Sequence, residues 1–185
     1  MRADVSWTLL VVLILGFCVW RLSAVAGRLD RLHHRIDLAR TALDAQLVRR
    51  SRAAEALATS GLIDPASAIV LATAASNSRH ADPRDPVERG AVESELTRDL
   101  REVFHDAAAV EDLRTVPEGL ELVDDLAAAG QQVMLTRRFL NDGVQAARLL
   151  RRSRWVRWFR LAGRAPQPQM FEMDDELPPA LARYA

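Results

Sequence analysis

The sequence predicts an all-α protein: a single N-terminal transmembrane helix that continues into an antiparallel bundle of three to four long helices. Three observations predict it. One stretch near the N-terminus is apolar enough to leave water. The periodicity after it is helical and meets no proline before Pro65. Beyond that point proline and glycine cut the chain into helix-length pieces, with no alternating pattern that would support a strand. A chain of 185 residues is about one domain, and what remains after a membrane anchor suffices for one helical core.

From Trp7 to Ala26 the chain reads WTLLVVLILGFCVWRLSAVA, with Arg21 as its single charge. About twenty such residues match the hydrocarbon thickness of a bilayer. Arg21 can reach the headgroups from its position, and Trp7 and Trp20 flank the most apolar part, where indoles prefer the interface. Before the stretch Arg2 is opposed by Asp4; after it come Arg28, Arg31, Arg35 and Arg40. The positive-inside rule then puts the N-terminus outside and the body in the cytoplasm. A cleaved signal peptide is the competing reading, because Ala24, Val25 and Ala26 form a small-residue site. The weakly basic start and Arg21 between core and site oppose it. Cys18, the single cysteine, lies inside the stretch, so no intramolecular disulfide can form.

Leu22, Leu29, Ile36 and Leu43 then occupy one heptad position, and Val25, Leu32 and Ala39 another. The first helix therefore runs on from the membrane to about Ser60, closed by Gly61. These heptads serve an intramolecular bundle or, alternatively, a dimeric coiled coil. Asp64 and Pro65 read as an N-cap and first helical position, opening a second helix through about Ala75. A loop at 77–86 contains Pro83 and Pro86. A third helix is expected from Val87 to Ala108, with Val92, Leu96, Leu100, Val103 and Phe104 as its apolar stripe. A fourth follows Thr115 and Pro117, with a stripe of Leu120, Val123, Leu126, Val133, Leu135, Phe139, Val144 and Leu149. With short connections this last helix returns toward the membrane. The expected division is 1–26 anchor, 27–152 bundle and 153–185 tail.

The 25 basic residues, all arginine, balance 25 acidic ones, but unevenly along the chain. The segment 82–125 is acidic, whereas 148–164 is basic and aromatic. There Arg151, Arg152, Arg154, Arg157 and Arg160 interleave with Trp155, Trp158 and Phe159. Basic segments rich in Trp bind anionic membrane surfaces, and the bundle topology brings this one to the inner leaflet, so the bilayer and its anionic lipids are the expected partners. Nucleic acid could use the same arginines, but the acidic middle and the tether weaken that reading. Asp124 and Asp125, and Asp174, Asp175 and Glu176, read as solvated charge.

Parts for catalysis are missing. His33 and His34 are adjacent and point about 100° apart on a helix, so they cannot chelate one ion. Glu102 and His105 stand at the spacing of a bundle metal motif, but no second such pair exists. No glycine-rich phosphate loop and no nucleophile motif occurs. Neither an enzyme, a small-molecule substrate, a metal nor a cofactor is expected.

Two further stretches carry a resemblance. LDAQLVRR from Leu43 to Arg50 resembles the D-x-Q-L-x-R-R pattern of the LemA family in Asp44, Gln46, Leu47, Arg49 and Arg50. RRFLNDGV from Arg137 to Val144 resembles that family's R-R-F-Y-N-D-A-V signature in Arg137, Arg138, Phe139, Asn141 and Asp142. The tail from Leu161 to Glu176 is similar to the family's ending. Leu140 stands where the signature has Tyr and Gly143 where it has Ala, and AAEALATSG replaces the family's Leu-Ile-Pro-Asn-Leu stretch. The resemblance implies a membrane-anchored helical scaffold without catalytic residues, a divergent member of that family. Read from the residues alone, the two motifs sit on neighbouring helices where arginine and carboxylate can pair. Phe139 reads as core. The competing reading makes the motifs a face for a protein partner or a second copy.

Overall fold

The computed structural model describes residues 2–153, 158 and 167–185. Among the described residues five α-helices follow one another: α1 (Arg2–Thr59), α2 (Pro65–His80), α3 (Pro86–Val103), α4 (Ala107–Arg114) and α5 (Pro117–Arg151). A 3-10 turn at Ala182–Tyr184 closes the chain. No strand occurs among the described residues. The all-α expectation holds, and α1 begins in an apolar stretch of mean hydropathy 2.4 that has no buried part.

The helix ends follow local chemistry. Gly61 takes a positive φ of 75° just past α1, the left-handed geometry that glycine adopts without steric cost. Asp64 caps α2 by accepting from the Ala66 and Ser67 amides at 3.0 Å, and the Ser67 hydroxyl helps hold its carboxyl below the usual range. Asp85 caps α3 in the same way, accepting from Val87 and Glu88. The second helix runs to His80, past the expected end near Ala75. The third expected helix is two: α3 stops at Val103, and Asp106, accepting from the Ala108 amide at 2.9 Å, starts α4 afresh.

The chain divides into two compact units, Met1–Asp37 with Asp142–Gln169, and Leu38–Asn141 with Met170–Ala185. In the first, the two runs are antiparallel. Ile36 lies under Gly143, close to where a side chain would begin, while Leu150 and Ser153 share a cleft with Arg21 to Arg31. Leu29, Ile36, Val144 and Ala147 are its buried apolar residues.

In the second unit α2 and α3 pack side by side, and the core joins Leu57, Leu71, Leu96, Leu100, Val110, Val123 and Leu126. Its last element is not helical. Residues 170–181 form an extended strap in the groove between α3 and α5, ending on Ala180 and Leu181, which are buried in that same core. Two glycines make room for it. A side-chain carbon on Gly90 would strike the Glu172 carbonyl, and one on Gly130 would strike the Leu177 side chain. Gly130 therefore keeps its place inside α5 despite the helix propensity it forfeits.

The apolar stripe of α5 differs from expectation. Its buried residues are Val123, Leu126, Ala127, Val133, Leu140, Val144 and Ala147, whereas Phe139 is 70% exposed and Leu149 61%. Leu140 fills the core position assigned to Phe139, because it continues the i, i+3, i+4 spacing of Val133 and Val144 and Phe139 does not.

Candidate functional site

In the second unit the first motif clamps α1 to its neighbours. Arg50, on α1, is buried and donates to Glu93 Oε2 at 2.7 Å, to the Glu93 carbonyl at 3.1 Å and to Thr97 Oγ1 at 3.0 Å, both partners lying on α3. The Glu93 side chain is wholly buried, and Ser78 of α2 donates to its other oxygen at 2.8 Å. One ion pair thus ties three helices, and the added hydrogen bonds satisfy a carboxylate whose burial would otherwise cost several kcal/mol, an order-of-magnitude figure. Six residues earlier, Asp44 lies 3.6 Å from the buried Arg89. Arg49 reaches Asp125 of α5 at 2.7 Å, both largely exposed. Leu47 is fully buried, and Gln46 Oε1 is buried without a hydrogen-bond partner.

The second motif grips the strap. Arg137 donates from two nitrogens to Asp175, at 2.6 and 2.8 Å. Asn141 receives the Phe171 amide at 2.9 Å and donates to the Phe171 carbonyl at 3.1 Å, so one side chain satisfies both backbone groups of an extended residue. From α3, Ser94 accepts the Asp174 amide at 2.9 Å and Thr97 donates to the Asp174 carbonyl at 2.8 Å. Arg101 donates to the Glu176 carbonyl at 3.1 Å and pairs with the Asp174 carboxylate. That pairing holds the Asp174 carboxyl below the usual range and raises the Arg101 guanidinium above its own. Tyr184 lies under Arg114, 3.7 Å from the guanidinium carbon, and donates to Glu111.

These contacts correct two expectations. Asp174 and Asp175 are not solvated charge but anchors of the strap, and Asp124 pairs with Arg114; Asp125 and Glu176 are exposed, the first meeting Arg49 and the second, 86% exposed, lying 3.8 Å from Arg101. The arginines of the two motifs do not pair with one another's carboxylates, since the first motif holds α3 and α5 and the second holds the strap. Arg138, Phe139 and Asp142 stay exposed. Glu93 was legible in principle, as a carboxylate on the stripe of Leu96 and Leu100. Ser78, Thr97 and Arg101 gave no such signal.

The first unit uses arginine differently. Arg21, Arg28 and Arg31 of α1 line a cleft of about 310 Å³ with Ala24, Val25, Leu150 and Ser153. Arg148, Arg151 and Arg152 line a second, of about 860 Å³, with Gln167. No carboxylate lines either cleft among the described residues. Arg148 also donates to the Pro168 carbonyl at 2.9 Å. Of the expected membrane-contact residues, Arg151 and Arg152 fall in this cluster and Trp158 is helical and exposed. Arg154, Trp155, Arg157, Phe159 and Arg160 lie outside the described residues.

Elsewhere a cavity of about 380 Å³ in the second unit is walled by Leu62, Ile63, Val103, Phe104, Leu113 and Val116 with Asp64 and Asp112. The acidity of Asp64 is accounted for by its cap. His80 and His105 each engage a carbonyl of their own chain segment, Ser76 and Glu102. No group of three or more His, Cys, Asp or Glu could hold a metal among the described residues.

Fold and site together define an all-α chain with one helix long and apolar enough to cross a membrane. Compared with family models, curated proteins and solved structures, the chain matches none.

Proposed function

We propose that this chain is a non-enzymatic, membrane-anchored helical scaffold or adaptor of the LemA type. Its body faces the cytoplasm, and the basic end of α5 makes a second contact with the anionic inner leaflet. The observation that carries the reading is the shared cleft of the first unit. Leu150 and Ser153, at the end of α5, lie beside the stretch of α1 that directly follows the apolar run. In this reading the three arginines of α1 in that cleft, and those at the end of α5 that line the other, lie at the level where phosphate headgroups begin. The family assignment rests on the two motifs occurring in order, each with a structural task.

Cysteines placed one at a time at Ala3, Ala56 and Ala182 in a Cys18→Ser background test the topology on intact cells with a membrane-impermeant thiol reagent. Ala56 and Ala182 are exposed sites in the second unit. Labelling confined to position 3 is expected; labelling at 56 and 182 would place the body outside and overturn the inner-leaflet contact.

A second reading draws on Phe139, which stands exposed beside Leu135 one turn away, a face suited to a protein partner or a second copy. Phe139→Ser should then abolish cross-linking between copies or to the partner while leaving the fold intact. Delivery of a nucleic-acid-binding or regulatory module to the membrane is the remaining alternative. It requires the purified chain to prefer nucleic acid over anionic vesicles in a salt-dependent manner.

A further inference from the structure

Within the first unit, we infer that the cleft between α1 and α5 lined by Arg21, Arg28, Arg31, Leu150 and Ser153 is a binding site for the phosphate headgroup of an anionic phospholipid. The inference rests on α1 spanning a bilayer and specifies what its cytoplasmic end would hold. Residues 21, 24, 25, 28 and 31 recur at three- and four-residue steps, so they share one face of α1. That face presents three guanidinium groups with small apolar side chains between them. Leu150 of α5 supplies an apolar wall and Ser153, just past that helix, a hydroxyl.

Charge is the first argument. In the second unit the buried or half-buried arginines stand against carboxylates: Arg50 on Glu93, Arg89 by Asp44, Arg101 on Asp174, Arg114 on Asp124 and Arg137 on Asp175. In the cleft Arg21, Arg28 and Arg31, all exposed to solvent, meet with no carboxylate among the described lining residues. Like charges gathered on one face favour an anion among them, and guanidinium matches the two free oxygens of a phosphodiester with paired hydrogen bonds.

Shape is the second. A volume of about 310 Å³ suits a headgroup rather than a folded partner, lying at the small end of ligand pockets. The polar rim has an apolar floor of Ala24, Val25 and Leu150, and α1 continues directly into the fully exposed run that includes Phe17 and Trp20. A ligand with an anionic head and apolar chains meets both surfaces at once; inorganic phosphate meets one.

The test uses the full chain in nanodiscs of phosphatidylcholine doped with a photoactivatable phosphatidylglycerol, the cross-links being mapped by mass spectrometry. Cross-links are expected on 21–31 and 148–153, favouring phosphatidylglycerol over an equally labelled phosphatidylcholine. The double variant Arg28→Gln, Arg31→Gln should lose them by about tenfold or more. Arg52→Gln with Arg98→Gln, at exposed arginines of the second unit, should lose none. Equal labelling by both lipids, an unaffected double variant, or full competition by millimolar inorganic phosphate would overturn the lipid assignment while leaving the anchored scaffold intact. A chain stripped from the bilayer by alkaline extraction would overturn both.

Discussion

Arginine does two different jobs in the two units, and the contrast shows how context rather than residue type sets its role. In the second unit Arg50 sits beside a carboxylate of zero exposure and is finished: its charge is neutralised within the molecule, and it organises three helices. In the first, Arg21, Arg28 and Arg31 gather in a cleft walled by alanine, valine, leucine and serine, with no carboxylate among its described lining residues. The internally paired residue governs stability. The gathered ones are those we propose to hold a lipid headgroup.

The largest effect should come from breaking the internal pair. Arg50→Ala leaves the Glu93 carboxylate buried and unmatched, a change that costs about 3–5 kcal/mol in comparable pairs. The thermal transition of the full chain in detergent, followed by circular dichroism, should fall steeply or vanish. Arg50→Met combined with Glu93→Leu should recover much of the loss, because the apolar pair has no charge to desolvate. If the double variant melts as low as the single one, the network contributes more than charge balance. Arg28→Gln with Arg31→Gln, by contrast, should leave the transition in place.

A smaller effect is expected at Gly90, where a methyl group would meet the carbonyl of Glu172, a backbone atom that can move only if the strap moves. Gly90→Ala should cost about 1–3 kcal/mol as overpacking does and should speed proteolysis within 167–185 before the helices are cut. Unchanged proteolysis would show that the strap yields without leaving its groove.

The smallest is a pH effect at Asp174. The Arg101 guanidinium, aided by the Glu176 amide, depresses this carboxyl in the folded state. The folded chain then holds fewer protons there than the unfolded one, so the contribution is complete above the ordinary carboxylate pKa of about 3.9. It is lost as pH falls through the lower folded value. Because both side chains are partly exposed, solvent screening limits the term to about 1 kcal/mol or less. Asp174→Asn should flatten that part of the acid stability profile and leave neutral pH nearly unchanged; an identical profile would mean Arg101 holds the strap through the Glu176 carbonyl alone.

What could be read from the residues followed distance along the chain. The apolar run and the heptad series Leu29, Ile36, Leu43 are local patterns, and these residues are buried as the pattern requires. The cap at Asp64 was equally local, an Asp before a Pro, whereas Asp85, with the same pattern, was read only as part of a loop. Asp106 was passed over because Ala107, Ala108 and Ala109 behind it read as uninterrupted helix. Phe139 was misplaced because Phe139 and Leu140 are both apolar, and over 35 residues a stripe with few polar interruptions does not say which neighbour faces inward. The strap was invisible as structure: an extended segment has no helical period, and its partners Ser94 and Thr97 lie about eighty residues earlier. The motif residues could be singled out by type, but which partner each of Arg49, Arg50, Arg137 and Asn141 finds depended on that long-range packing.

The strap also imposes an order of events on synthesis. Leu181 lies in the same core as Leu57 and Leu96, so a nascent chain that has already made all five helices still carries an open groove along α3 and α5. The Arg137 and Asn141 side chains wait there for partners not yet translated. The helices are written first, but the body cannot close until residues 170–181 emerge. Until then that groove is the part of the protein most in need of protection.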